Sequence, residues 1–221
     1  MIPKLSGPML APKSGAAPKQ LVVLLHGYGS DGQDLIGLAP AWQGVLPDAL
    51  FVSPNAHEGV PGYPAGYQWF APAMADDRLA SRQLGVTLAA PVLLGFLADL
   101  WAQTGLSARD TILAGFSQGA MMALHVGLSL PDRLMGIIAF SGSFLPPANF
   151  GAADLSKPPI CIVHGDMDQM VDPALSDAAN ATLVAAGYDV RYHVSRGVGH
   201  GISPDGMAFA TDFIASVMAP K

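Results

Sequence analysis

From residue 20 onward the chain alternates between short apolar runs and longer stretches in which apolar residues recur at helical spacing. The runs are Leu21–Leu25, Leu50–Ser53, Thr111–Gly115, Gly136–Ser141 and Ile160–His164, each ending in a Gly-rich or polar turn. They are rich in Val, Ile and Leu without polar alternation. That is the pattern of strands buried on both faces of a mostly parallel sheet. The stretch Asp189–Val194 differs. Val190, Tyr192 and Val194 fall on one face and Asp189, Arg191 and His193 on the other, which predicts a strand nearer the sheet edge with His193 at the surface.

Between the runs lie segments with recognisable helix ends. Asp172 followed by Pro173 supplies an N-cap with proline at the first helical position, and Gly187 marks the stop. Ser203 and Pro204 repeat the start signal before a last helix, roughly 205–218. A long helix is expected from about Leu79 to Thr104, closed by Gly105 and kinked at Pro91. Alternating strand and helix predicts a three-layer α/β fold, helices on both faces of the sheet, with right-handed crossovers. The first twenty residues, with Pro3, Pro8, Pro12 and Pro18, read as an edge hairpin or arm. All 221 residues then form a single domain, 1–221.

Composition sharpens this picture. Hydrophobic residues make up 51% and charged residues 13%, so the interior is large relative to the surface. A net charge of −6 with no long run of like charge argues against a nucleic-acid partner, which calls for clustered Lys and Arg. Cys161 is alone and forms no internal disulfide. With no charged, then apolar, then small-residue leader, a cytoplasmic location is expected. Gln83–Ala98 carries no charge, but it is shorter than the ~20 residues a bilayer core requires. It reads as a core helix, with no membrane span.

Ligands of such sheets bind beyond the carboxyl ends of the strands, and the chemistry-bearing motifs fall there. Gly115-Phe116-Ser117-Gln118-Gly119 follows an apolar run and precedes the helical stretch Ala120–Leu124. This is G-x-S-x-G in the context it requires, strand before and helix after. A nucleophilic serine has to project from a very sharp turn, and the flanking glycines leave room where a Cβ would collide. The N–H of Gln118 then opens a helix, where free donors and the dipole favour a developing oxyanion. The plainer alternative makes Ser117 only a helix N-cap after a glycine turn.

A hydroxyl needs an adjacent imidazole to take its proton, and that imidazole a carboxylate to hold it. In α/β-hydrolases the order is Ser, acid, His. His200, in the loop Gly197-Val198-Gly199-His200-Gly201 before the last helix, is the candidate base. His164 precedes the acid. The acid lies in His164-Gly165-Asp166-Met167-Asp168, where Asp172 is already assigned as a cap. Asp166 suits bracing of the turn through backbone N–H groups, and Asp168 reaches farther out. Spacing leaves both open.

Leu25-His26-Gly27-Tyr28-Gly29, the serine motif, His164-Gly165-Asp166-Met167-Asp168 and Gly199-His200-Gly201, in this order, resemble the phospholipase/carboxylesterase family. That family includes small bacterial carboxylesterases and acyl-protein thioesterases. The resemblance covers nearly the whole chain and implies the α/β-hydrolase fold. It also implies Asp168 as the acid and the backbone N–H of Tyr28 as a second oxyanion donor beside that of Gln118. His26 and Asp31 are expected to be structural. Many family members carry Trp, an aromatic residue and Asp beyond the second strand. Here Trp69 and Phe70 are followed by Ala71-Pro72, so the acyl pocket is expected to differ, with Trp69, Phe70 and Phe144-Leu145 as candidate walls.

The resulting expectation is a serine hydrolase cleaving carboxylic esters through an acyl-enzyme, with Ser117, Asp168 and His200 and without metal or cofactor. A thioesterase or lysophospholipase would use the same machinery on another leaving group. Dienelactone-hydrolase-like chemistry fits less well, because that branch has Cys at the position of Ser117. Outside enzymes, a non-catalytic binding module on this scaffold is the alternative. The path of residues 57–77 does not follow from the pattern. Family members are often dimers, so the resemblance leaves a homodimer open, and no pattern in the sequence fixes its interface.

Overall fold

A computed structural model describes residues 4–72 and 78–219. The apolar runs become strands β2 (Gln20–Leu25), β3 (Ala49–Val52), β6 (Thr111–Phe116), β7 (Gly136–Phe140) and β8 (Ile160–Gly165), and the alternating stretch becomes β9 (Val190–Ser195). With β1 (Met9–Leu10) they form one sheet in the order β1-β3-β2-β6-β7-β8-β9. Every neighbouring pair is parallel except β1 with β3, where Met9 faces Val52. The proline-rich arm thus adds only a short edge strand. β9 is the opposite edge, as its alternation predicted. Within the 57–77 segment, β4 (Glu58–Val60) and β5 (Tyr63–Gln68) make a separate antiparallel ribbon, and residues 73–77 lie outside the described residues.

Among the described residues six α-helices accompany the strands: α1 (Gly32–Ile36), α2 (Ala39–Trp42), α3 (Arg78–Thr104), α4 (Gln118–Gly127), α5 (Ala174–Ala185) and α6 (Pro204–Met218). Their placement follows from the twofold period of a strand, which sends successive side chains to opposite faces. Leu21, Val23 and Leu25 of β2 enter a core with Leu93 and Leu97 of α3, Met122 of α4 and Leu183 of α5. Val22 and Leu24 enter the other core with Leu35 of α1, Trp42 of α2 and Phe213 of α6. This is the α/β-hydrolase fold expected from the sequence.

Local signals explain most helix ends. Ser203 Oγ accepts the N–H of Gly206 to open α6, and Asp172 Oδ1 accepts that of Ala174 at 3.0 Å ahead of α5. Asp31 caps α1 by accepting the N–H of Asp34. Gly187, with φ of 81°, ends the α5 turn. The helix α3 runs unbroken across Pro91. It is long and apolar enough to cross a membrane by length and composition. Here it packs Val86, Ala89, Leu93 and Leu97 into the core and leaves Leu79, Leu84 and Leu88 exposed.

Candidate active site

Ser117 is the single residue between β6 and α4. Its φ of 54° and ψ of −117° put a non-glycine residue in a strained region, a cost of about 1–3 kcal/mol that the surroundings must hold. The N–H of Ser117 donates to the Phe140 carbonyl at 2.9 Å, and the N–H of Met121 donates to the Ser117 carbonyl at 3.1 Å. A Cβ on Gly115 would overlap the backbone of Gly119, and one on Gly119 would overlap the carbonyl of Leu25. The turn is this sharp because strand and helix touch at both glycines.

The loop after β9 carries His200 back over this turn. Its Nδ1–H donates to Oδ2 of Asp168 at 2.6 Å, which leaves Nε2 to accept the hydroxyl hydrogen of Ser117 at 3.0 Å. The Phe116 ring packs against the imidazole, centroids 4.8 Å apart. Two backbone features tie the loop to the turn after β8. The N–H of Met167 donates to the Val198 carbonyl at 2.9 Å, and a Cβ on Gly165 would overlap that same carbonyl. Asp166 takes no part in the chain of bonds to Ser117. It accepts the N–H of Gly197 at 2.6 Å and faces Arg196 at 3.4 Å, bracing the histidine loop rather than its own turn.

Asp168 is buried, and burial pushes its carboxyl upward. The N–H of Val171, the ring of His200 and the N–H of Met170 outweigh that and hold it below the usual carboxylate range. It is therefore an anion at neutral pH, aligned by backbone donors on Oδ1 at 2.8 and 2.9 Å.

On the other side, Gln118 is the first residue of α4, so its N–H has no intrahelical acceptor. Its side chain closes the adjoining segment: Oε1 accepts from the Trp69 N–H at 3.2 Å and Nε2 donates to the Phe70 carbonyl at 2.8 Å. Tyr28 lies just past β2, on a loop fastened at both ends. His26, whose burial lowers its pKa and keeps it neutral, donates from Nδ1 to the Gly27 carbonyl at 2.7 Å and accepts the Ala56 N–H at Nε2, 2.9 Å away. The Gly29 N–H donates to the Tyr67 carbonyl at 2.9 Å, so the β4–β5 ribbon holds the loop. Asp31 and His26 are thus structural.

Ser117, His200, Tyr28 and Gln118 share a cavity of about 310 Å³, walled by Phe70 and Pro72. Three of the four expected wall residues do not line it. Trp69 is fully buried with Nε1 donating to the His26 carbonyl at 2.9 Å, so that bond turns its indole inward. Leu145 is fully buried in the core. Phe144 packs edge-on against Phe150, away from the cavity. Met121, Met170, Val171 and Arg82 line it instead. Helical spacing from Ser117 could have pointed to Met121, but Met170 and Arg82 reach the cavity through a turn and a distant helix that no sequence pattern marks. His193 is half-buried, paired with Asp205 at 2.8 Å and stacked on Phe209.

The sequence model of phospholipases and carboxylesterases matches residues 11–218. The chain belongs to this phospholipase/carboxylesterase family. Esterase YpfH of Escherichia coli is 32% identical over 197 residues, covering 89% of this chain and 82% of that protein. Acyl-protein thioesterase 1 of Schizosaccharomyces pombe is 30% identical, covering 83% of each chain. Among solved structures, esterase PE8 superposes with a TM-score of 0.92 at 52% identity, covering 97% of this chain and all of that one. The Bacillus cereus carboxylesterase, 18% identical with a TM-score of 0.79 over 97% of this chain and 95% of that one, shares the fold. Family and relatives make the chain a carboxylesterase-type serine hydrolase.

Proposed function

We propose that the chain hydrolyses carboxylic esters through an acyl-enzyme in which Ser117 is the nucleophile, His200 the general base and Asp168 its orienting acid. The observation that carries this reading is the continuous run of bonds Asp168–His200–Ser117, at 2.6 and 3.0 Å. Ser117 Oγ attacks the acyl carbonyl as Nε2 of His200 takes its proton, and Asp168 stabilises the imidazolium. The N–H groups of Tyr28 and Gln118 receive the oxyanion, where one such donor is typically worth ~10²–10³ in turnover. His200 then returns the proton to the leaving alcohol, and water repeats the sequence on the acyl-enzyme.

The cavity of about 310 Å³ lies within the ~300–1,000 Å³ usual for small-molecule sites. Thioesters are the second reading, motivated by the thioesterase relatives, because the same steps expel a thiol. The substrate is a small-molecule ester or thioester, and the steps above call for no cofactor. Rates on nitrophenyl esters from acetate to palmitate, beside matched acyl thioesters, separate these readings. Ser117→Ala should lose about 10⁶ in turnover if the three residues act as a unit, together with fluorophosphonate labelling. A folded wild type that takes no label would point to a non-catalytic module.

A further inference from the structure

The buried imidazole of His164, four residues ahead of Asp168 at the end of β8, has no part in the steps above. Both it and the Asp168 side chain are fully shielded from solvent. Its Nε2 faces two acceptors, Oδ2 of Asp168 at 3.1 Å and the Val171 carbonyl at 3.0 Å, so this nitrogen carries a proton and donates. Nδ1 lies 2.6 Å from the Ser176 hydroxyl, itself 3.1 Å from the Gly142 carbonyl. The ring is therefore anchored on α5 and on the strand end beside Ser117 before it reaches Asp168.

Oδ2 is the oxygen that His200 uses, so two imidazoles share it. The other oxygen is held by backbone N–H groups of Met170 and Val171. We propose that His164 is a positioning residue for the hydrolytic reaction, acting through Asp168 in two ways. It prevents rotation of the carboxylate about its side chain, keeping Oδ2 aimed at Nδ1 of His200. It also draws electron density from Oδ2, which weakens the pull of Asp168 on the His200 proton. The same Nε2–H fixes Val171, a cavity wall, through its carbonyl.

This rests on the reading of Ser117, Asp168 and His200 given above. Three variants test it: His164→Leu, which removes the donor; His164→Asn, whose amide nitrogen is too short to reach Oδ2; and His164→Gln, whose amide nitrogen falls near Nε2. The measurements are kcat and KM against pH on a short nitrophenyl ester, with thermal midpoint and fluorophosphonate labelling. Among the described residues, the charged and polar groups bonded to His200 or sharing the cavity with it are Asp168 and Ser117 by direct bonds, and Arg82, Tyr28 and Gln118 in the cavity lining. All five are unchanged in every variant.

His164→Leu and His164→Asn should lose roughly 10- to 100-fold in kcat with little change in KM, less than the ~10⁴ that follows when the acid itself is neutralised. The acidic limb of their kcat/KM profile should move to higher pH. His164→Gln should recover most of the rate and the wild-type limb. If all folded variants keep the wild-type limb, or lose rate only in step with labelled, folded enzyme, His164 is a packing residue and the proposal fails. Should Leu not fold, the Asn and Gln pair decides the same question. A wild type that is unlabelled and insensitive to Ser117→Ala would instead overturn the triad reading itself.

Discussion

Small residues around Ser117 are there because the backbone leaves no other choice. Gly119 is where α4 crosses the end of β2, and any Cβ would collide with the Leu25 carbonyl. A main-chain atom cannot rotate away as a side-chain tip can. Gly119→Ala should therefore destabilise by about 3 kcal/mol or more, at the upper end of overpacking costs, read as a drop in the denaturant midpoint. An alanine variant as stable as wild type would mean the crossing is looser than the distances say. Ser117 and His200 stood out from their motifs, because sharp turns and short loops need particular residues at particular spacings, whereas spacing left Asp166 and Asp168 both open and only the family resemblance pointed to Asp168. His164 received no role beyond being passed over as the base, and Asp166 was expected to brace its own turn, since a motif does not reveal which of several polar atoms meets which. Asp166 reaches a loop thirty-one residues on, and His164 donates to the carboxylate it precedes.

Among the helices and strands, the apolar runs and helix caps predicted the elements to within a residue or two. Period and end chemistry are local properties. The short helices α1 and α2 and the β4–β5 ribbon escaped, because their residues lack a sustained period and are held by contacts with other segments. Tyr67 is one such point, exchanging two backbone bonds with Gly29 and Ser30. Pro91 tests the limits of propensity. It lies on the exposed side of α3, while Ala89, Ala90, Val92 and Leu93 are buried around it. Packing on both sides carries the helix across a residue that donates no N–H to the carbonyl of Thr87. Pro91→Ala should restore that bond and stabilise the chain by about 1–3 kcal/mol, measured by urea unfolding; a neutral or destabilising result would show that the helix is adapted to the proline.

For the molecule taken together, the linked charge at the site bears on acid stability. Asp168 titrates below its unfolded value of about 3.9. The unfolded chain therefore binds its proton first as the pH drops. The stabilisation is fully present above pH ~4 and is lost as pH falls through the lower folded value. Stability of wild type relative to Asp168→Asn should accordingly shrink as the pH falls below about 4, followed by thermal midpoints at each pH; a difference that stays constant would show that this carboxylate contributes no linkage. Fold class, strand and helix positions and the serine, acid and histidine motifs could be read from the chain, because hydrophobic period, caps and sharp turns act between near neighbours. Which residues wall the cavity, what Asp166 and His164 bond to, and where Trp69 and Leu145 point depended on segments far apart in the chain meeting in space. Those outcomes follow from packing geometry and from the need of each buried polar atom to find a partner, which no local pattern encodes.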